Sequence, residues 1–473
     1  MSIERKFYSN VQEIKYKVLR EVARHTWEGQ ESFAVFDDIA KEVVRKDEKP
    51  MRCCIYKDRA VVAQRIRIAL GGDESNPNEI EVVDIACDEC PASGHTVTDM
   101  CRGCIAHKCE DACKLDAITF DDDLVAHIDK KKCVECGRCA KVCPYNAIMN
   151  FTRPCENACK AGAIHMAEEG EAEIDGDKCT NCGACSFACP FGATADKSYI
   201  THVIKLLKEQ QQGADCRVHA IVAPAIASQF DYATLGQLVA GIKELGFSAV
   251  TEVALGADMV AYAEARELEE SGFLTTSCCP AFVRYININF PSLSGNISST
   301  LSPMAMLGKH IKEKEPGSKV VFIGPCTAKK AEIKKETVCD YIDYAMTFEE
   351  LQALFDSRNI NVEELEEQPL EDASYYGRIF ARSGGVAEAV EEALKEQGSD
   401  FEINYAAFAG LDECKKELKR AERGHSVHNL IEGMACAGGC IGGAGCLSHE
   451  ESHRKVIEKY GHDAGEKKIE DVI

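Results

Sequence analysis

Cys279, Cys326, Cys436 and Cys440 lie far apart in the chain, yet each sits in a short motif rich in glycine or proline. The motifs read Thr276-Ser277-Cys278-Cys279-Pro280, Gly324-Pro325-Cys326-Thr327-Ala328-Lys329-Lys330-Ala331-Glu332 and Glu432-Gly433-Met434-Ala435-Cys436-Ala437-Gly438-Gly439-Cys440. Four dispersed thiolates are what one iron–sulfur cubane requires. The glycines around Cys436 and Cys440 let backbone approach a bulky group without Cβ clashes. Cys278 is left over beside this set, free for proton chemistry.

Residues 85–200 hold 16 of the 27 cysteines. Cys133-x2-Cys136-x2-Cys139-x3-Cys143-Pro144 has the spacing of bacterial ferredoxins, and Cys179, Cys182, Cys185, Cys189 and Pro190 repeat it. Three cysteines on a tight loop reach three irons of one cubane, and the fourth swings to a neighbouring cluster. The following proline keeps the loop from continuing as a regular element. Zinc sites rarely use this run. The whole stretch from Cys109 to Cys143 recurs 46 positions later as Cys155 to Cys189, with CEDACKLDAI beside CENACKAGAI, so a supersecondary unit is duplicated. Upstream, Cys101-x2-Cys104-x4-Cys109-x3-Cys113 is a looser variant, similar to that of polyferredoxin subunits.

One pairing puts Cys101, Cys104, Cys109 and Cys143 on one cubane and Cys113, Cys133, Cys136 and Cys139 on another. Cys159, Cys179, Cys182 and Cys185 make a third, and Cys155 and Cys189 complete a fourth only if Cys87 and Cys90 join them. A rival pairing joins Cys133, Cys136 and Cys139 with Cys189, and Cys143 with Cys179, Cys182 and Cys185. Spacing alone leaves two, three and four clusters open.

The cysteine load excludes other classes when read with the rest of the composition. A net charge of −23 disfavours nucleic acid or an anionic membrane as partner. The opening MSIERKFYSN has no apolar core, so no secretory leader is expected. No apolar stretch approaches the roughly 18 residues of a membrane span. Disulfide-rich chains are normally small and secreted, so thiolate ligands in a reducing cytoplasm fit better.

These motifs need elements to position them. Apolar spacing predicts helices over Val11–Arg24, Ala60–Leu70, Tyr199–Gln211, Ala261–Glu270 and Val386–Glu396. The runs VHAIVAPAIA, VVFIGPC and YAAFAG read as buried strands. The expected organisation is a helical segment over 1–84, a duplicated ferredoxin-like α+β domain over 85–200, a linker over 201–215 and an α/β domain over 216–473 with its motifs at strand ends. Cys53 and Cys54, like Cys216, Cys339, Cys414 and Cys446, are expected to serve packing.

The three motifs together resemble the signature motifs of the FeFe hydrogenases, over about the last 260 residues. The resemblance implies an H-cluster, a 4Fe-4S cubane bridged through a cysteine sulfur to a two-iron unit bearing CO, cyanide and a dithiolate. By position Cys279, Cys326 and Cys436 would hold the cubane, and Cys440 would bridge. Cys278 would give and take the proton, and Lys329 would hydrogen-bond a cyanide. Pro224, Ala225, Pro325, Met434 and Gly384 would line the cofactor. Glu332, Ser298, Glu267 and Glu264 match the family's proton relay in type and order, with Glu264 at its exposed surface end. A solvated helix face is the plain alternative for the last two.

The implied reaction is reversible oxidation of H2 to protons and electrons, relayed to a ferredoxin-type carrier after assembly by dedicated maturation proteins. No GxGxxG stretch suggests a dinucleotide acceptor. Ala281-Phe282 where tryptophan is usual, Gly324 for methionine and Met304 for glutamine look like the group B branch. A hydrogenase-like assembly factor or sensor, carrying cubanes alone, is the rival from another class.

Overall fold

A computed structural model describes residues 5–30, 35–88, 90–167, 170–214 and 216–473. The C-terminal half is built on two parallel sheets. In the first, strands run in the order Ala249–Glu252, Val218–Val222, Lys319–Gly324, Tyr344–Thr347. In the second, Leu430–Met434 lies between Leu274–Thr275 and Tyr405–Ala409. Val218–Val222 is buried at every position, which is why it reads as an unbroken apolar run rather than an alternation.

Helices cover the first sheet. Leu235–Glu244 and Phe348–Ser357 both start with a capping box, Thr234 with Gln237 and Thr347 with Glu350. Val253–Ser271 packs along Pro303–Lys314 and Gly385–Glu396. Among the described residues no helix is long and apolar enough to cross a membrane.

The N-terminal helices differ from the separate segment expected over 1–84. Helix Asn10–Trp27, capped by Ser9, packs on Phe348–Ser357, and its Val18, Leu19 and Val22 join the main core. An apolar stripe on a lone helix needs a partner, and here the partner lies in the last third of the chain. Within the expected linker over 201–215, the helix Ile200–Gln211 likewise packs into the core. Ile200, Val203, Ile204 and Leu207 of helix Ile200–Gln211 form one fully buried stripe. Cys53 is exposed and Cys54 half-buried, so the pair does not serve packing, and Cys339 is exposed too.

The cysteine-rich region shows the duplication in three dimensions. Hairpin Ile118–Phe120 with Ala126–Ile128 reappears as Ile164–Met166 with Ala172–Ile174. The left-handed positions Asp116, Glu135, Gly137 and Asn146 reappear as Gly162, Asn181, Gly183 and Gly192. Each repeat is closed by a strand from upstream. Gly94–Val97 pairs antiparallel with Ile148–Phe151, and Ile80–Val82 with Thr194–Asp196. The first unit is therefore an insertion within the second, whose strands begin before it and end after it.

Candidate metal centres and proton path

In parallel sheets the loops that carry ligands lie at the carboxyl ends of the strands. All three motifs obey this. Leu274–Thr275 runs into Thr276–Cys279, Lys319–Gly324 into Pro325-Cys326, and Leu430–Met434 into Ala435-Cys436. These ends meet at a cavity of about 80 Å³ lined by Cys278, Cys279, Cys326 and Cys440, with Pro224, Ala225, Pro325 and Met434 on its walls. Cys436 stands against it, its thiol influenced by Cys326, Cys279, Cys182 and Cys440.

Gly439, at φ +97, is required here, because a Cβ would lie 2.8 Å from the Ser383 nitrogen and 2.9 Å from the Met434 sulfur. Gly384 is not among the lining residues; its N–H donates to Glu432 Oε1 at 2.7 Å. Met304, Val253, Phe322, Phe380 and Ala381 are also in the wall; apolar types carry no motif, so sequence reading passed over the last four as lining residues.

The departures in the motifs have local reasons. The Phe282 ring lies under Gly433, where a Cβ would come within 2.2 Å of it. A side chain at 324 would meet the Phe322 ring at 2.3 Å, so methionine does not fit there.

Burial pushes the Cys326 thiol up to about 12 and raises Cys440 and Cys436 too, with neighbouring thiols adding to the effect. Such thiols ionise only against a strong local cation. Burial opposes the charge on Lys329, but the Glu332 carboxylate outweighs it and keeps the amine protonated. Its Nζ donates to Glu332 Oε2 at 2.6 Å, Ser302 Oγ at 2.8 Å and the Cys278 carbonyl at 3.4 Å.

The carboxylates stand in a different order from that expected. Glu264, expected at the exposed end, is wholly buried and is the inner member. Its Oε1 accepts from the Ser277 N–H and hydroxyl, both at 3.0 Å, and its Oε2 has no partner. Burial pushes its carboxyl up to about 7, while Ser277 and the nearby Ser298 hydroxyl pull it down. Ser298 Oγ donates to Glu267 Oε2 at 2.7 Å. Glu267 is half-buried and thus the outer member. Glu332 is committed to Lys329 and lies off this line.

The other cysteines gather in fours. Cys101, Cys104, Cys109 and Cys143 line one cavity, Cys113, Cys133, Cys136 and Cys139 a second, and Cys87, Cys90, Cys155 and Cys189 a third. Cys159, Cys179, Cys182 and Cys185 are mutual neighbours. The pairing that sends Cys143 and Cys189 across the two repeats is not what the structure brings together. Among the described residues no three Cys, His, Asp or Glu side chains converge on a single ion; the thiols surround spaces instead.

Residues 216–444 match the family model "Iron only hydrogenase large subunit, C-terminal domain". Residues 126–149 match "4Fe-4S binding domain" and 151–193 "4Fe-4S dicluster domain". This is an FeFe hydrogenase-like chain with an N-terminal ferredoxin region.

The hydrogenase-like chain is 29% identical over 371 residues to Iron hydrogenase 1 of Clostridium pasteurianum, covering 67% of this chain and 64% of that one. It is 27% identical over 197 residues to the cytosolic Fe-S cluster assembly factor NAR1 of Encephalitozoon cuniculi, covering 38% and 54%. Both matches span less than two thirds of the relative's length. A solved FeFe-hydrogenase structure, described for oxygen inactivation of its H cluster, aligns at 22% identity over 57% of this chain and 92% of that one, with a TM-score of 0.48.

In this hydrogenase-like chain the two regions are stitched together at their cysteine loops. Thr327 Oγ1 donates to the Asn181 carbonyl at 2.8 Å, and Arg284 Nε to the Cys179 carbonyl at 2.6 Å. Cys279 is close enough to Cys182 to help burial raise the Cys182 thiol.

Proposed function

We propose that the chain oxidises H2 reversibly to two protons and two electrons at an H-cluster, and that four 4Fe-4S clusters carry the electrons to a ferredoxin-type carrier. The residues fit the group. Four half-buried thiols line the cavity with Cys436 against it, Gly439 leaves backbone room beside it, and Lys329 supplies the cation. Cys279, Cys326 and Cys436 would hold the cubane and Cys440 would bridge to the two-iron unit. When bound, the cofactor supplies the metal centre at which the H–H bond is split and electrons are accepted. Dedicated maturation proteins would install it. The reducing, thiol-compatible setting would be an anaerobic cytoplasm, and Ala281-Phe282, Gly324 and Met304 favour the group B branch.

The chain's own residues handle the proton. Cys278 holds it at Sγ beside the cavity, Glu264 takes it within the protein, and Ser298 hands it to Glu267 near the surface. Lys329, anchored by Glu332 and Ser302, presents positive charge to the anionic ligands of the two-iron unit. The surrounding apolar wall excludes water.

The observation that carries the reading is the spare thiol Cys278, set in the cavity and backed by a buried carboxyl that titrates near 7. A protein that only carries cubanes needs neither. Cys278→Ala in matured protein should keep its iron and lose hydrogen turnover, since the last proton transfer has no titratable group. Cys440→Ser should lose the two-iron unit. Near-normal turnover in Cys278→Ala would overturn the reading.

A further inference from the structure

The cavity of Cys87, Cys90, Cys155 and Cys189 has an electrostatic setting unlike the others. Arg153 lines it and is almost completely buried. Its guanidinium donates to the carbonyls of Pro91, Cys90 and Gly170, and its NH1 has no partner. Arg65 is buried on the far side of the Cys189–Gly192 turn and donates to the carbonyls of Phe191 and Gly192. Among the described residues neither guanidinium has a carboxylate within salt-bridge distance.

Burial and the neighbouring Arg52 guanidinium lower the Arg65 pKa to about 10, and Cys189 pulls it back up. Burial raises the Cys90 thiol, and Arg153 pulls it back toward the thiolate. Among the described residues the carboxylate that acts on Cys90 is Glu156, half-buried and hydrogen-bonded to the Ser93 hydroxyl. The arginines and lysines lining the two outer cavities, Arg102, Lys108, Lys114 and Arg138, are exposed and screened by water, and the buried His95 of the second is paired with Glu135.

A buried guanidinium without a carboxylate needs a counter-ion. A cubane bound by four thiolates is an anion, and adding an electron makes it more so. A nearby cation in a low-dielectric interior therefore favours the reduced form. The N–H groups of Ala172 and Ala193, each 3.3 Å from the sulfurs of Cys87 and Cys189, act in the same direction.

We propose that the cubane held by Cys87, Cys90, Cys155 and Cys189 is the electron sink of the chain, its reduction potential set above those of its neighbours by the buried guanidiniums of Arg153 and Arg65. The inference rests on the four-cluster reading given above. In each loading step this cubane gains one electron and the cubane of Cys159, Cys179, Cys182 and Cys185 loses one. No bond forms or breaks, and no proton is needed, since both guanidiniums are already charged. Cys155 and Cys185 are neighbours, so the transfer is direct. Hydrogen releases two electrons together while cluster relays pass them singly, and a sink here stores one while the other leaves.

The test is a potentiometric titration of the full-length, iron-reconstituted protein, followed by electron paramagnetic resonance with iron counted in parallel. In the unaltered chain one cubane should reduce ahead of the rest, and Cys87→Ser should remove that signal. Arg153→Gln should lower its midpoint by at least about 59 mV, a tenfold change in the reduced-to-oxidised ratio at fixed poise. Iron and the other midpoints should not move. Arg65→Gln should shift it the same way, and Arg153→Lys, which keeps the charge, should retain most of the potential.

If Arg153→Gln sheds the cluster, Arg65→Gln and Arg153→Lys decide the matter alone. Full iron with an unmoved midpoint in the glutamine variants overturns the sink. A chain in which Cys87→Ser costs neither iron nor signal has no cluster there, and the four-cluster reading falls with the sink.

Discussion

At Glu264 the low dielectric of the interior does two things at once. It raises the carboxyl to about 7, and it leaves Oε2 with no hydrogen-bond partner. A group titrating there can both take and give a proton at neutral pH. Glu264→Gln should cut hydrogen evolution and oxidation together by roughly 10²–10⁴-fold at unchanged iron content. Glu267→Gln should cost less, because water reaches that side chain.

The same shift has a signature in stability. The folded value lies above the ordinary 4.5, so the contribution of the neutral form is complete below about pH 4.5 and is lost as pH rises through about 7. Denaturant titrations across that window should therefore show a shallower decline in Glu264→Gln. Equal slopes would mean that the carboxyl is not raised. Glu332→Gln acts otherwise, since it strands the buried amine of Lys329. Cofactor-free protein should lose about 3–5 kcal/mol, read by denaturant melts. The buried place of Glu264 was legible in its helix, where Ala257, Ala261, Ala265 and Leu268 form the inward stripe that it shares. Glu332 was expected as a relay, although Lys329 stands at i−3, the spacing of the ion pair it makes on one helix face.

Among the elements, the ligand loops do the positioning. Gly183, at φ +73 beside Cys182, faces Thr327 and Ala444, and a Cβ would come within 2.6 Å of the Thr327 hydroxyl and 2.5 Å of the Ala444 Cβ. Gly183→Ala should wedge the ferredoxin loop away from the second motif. Electron delivery to an external acceptor should fall, while H2/D2O isotope exchange, which needs no outside electrons, persists; equal loss of both would contradict this. The strand ahead of the second motif was legible, like Val218–Val222, because buried parallel strands are continuous apolar runs, whereas the two-residue Leu274–Thr275 ahead of the first was too short to read. Leu430–Met434 was not, because the wholly buried Glu432 interrupts it. The repeat was plain in the cysteines, but its closing strands Ile80–Val82 and Gly94–Val97 pair with residues far down the chain. Their spacing held no sign of it.

At the scale of the whole molecule, nesting explains why Cys87 and Cys90 serve the second unit across an intervening domain. The elements between 94 and 151 pack chiefly on one another, and Gly94 lies opposite Phe151 in the ladder that closes them. Excising that unit and joining its neighbours with a short turn should remove two cubanes, taking iron from roughly 22 to roughly 14 per chain at four per cubane. Isotope exchange should survive; its loss would show that the outer unit is needed to fold the centre.

The central claim is that this chain binds a two-iron unit as well as cubanes, and infrared spectroscopy of matured protein tests it directly. CO and cyanide stretches belong to that unit alone. The account predicts such bands in the unaltered chain and in Cys278→Ala, and their absence in Cys440→Ser. An iron-replete, maturation-treated chain with no such bands would be a cubane carrier, and the account would be wrong.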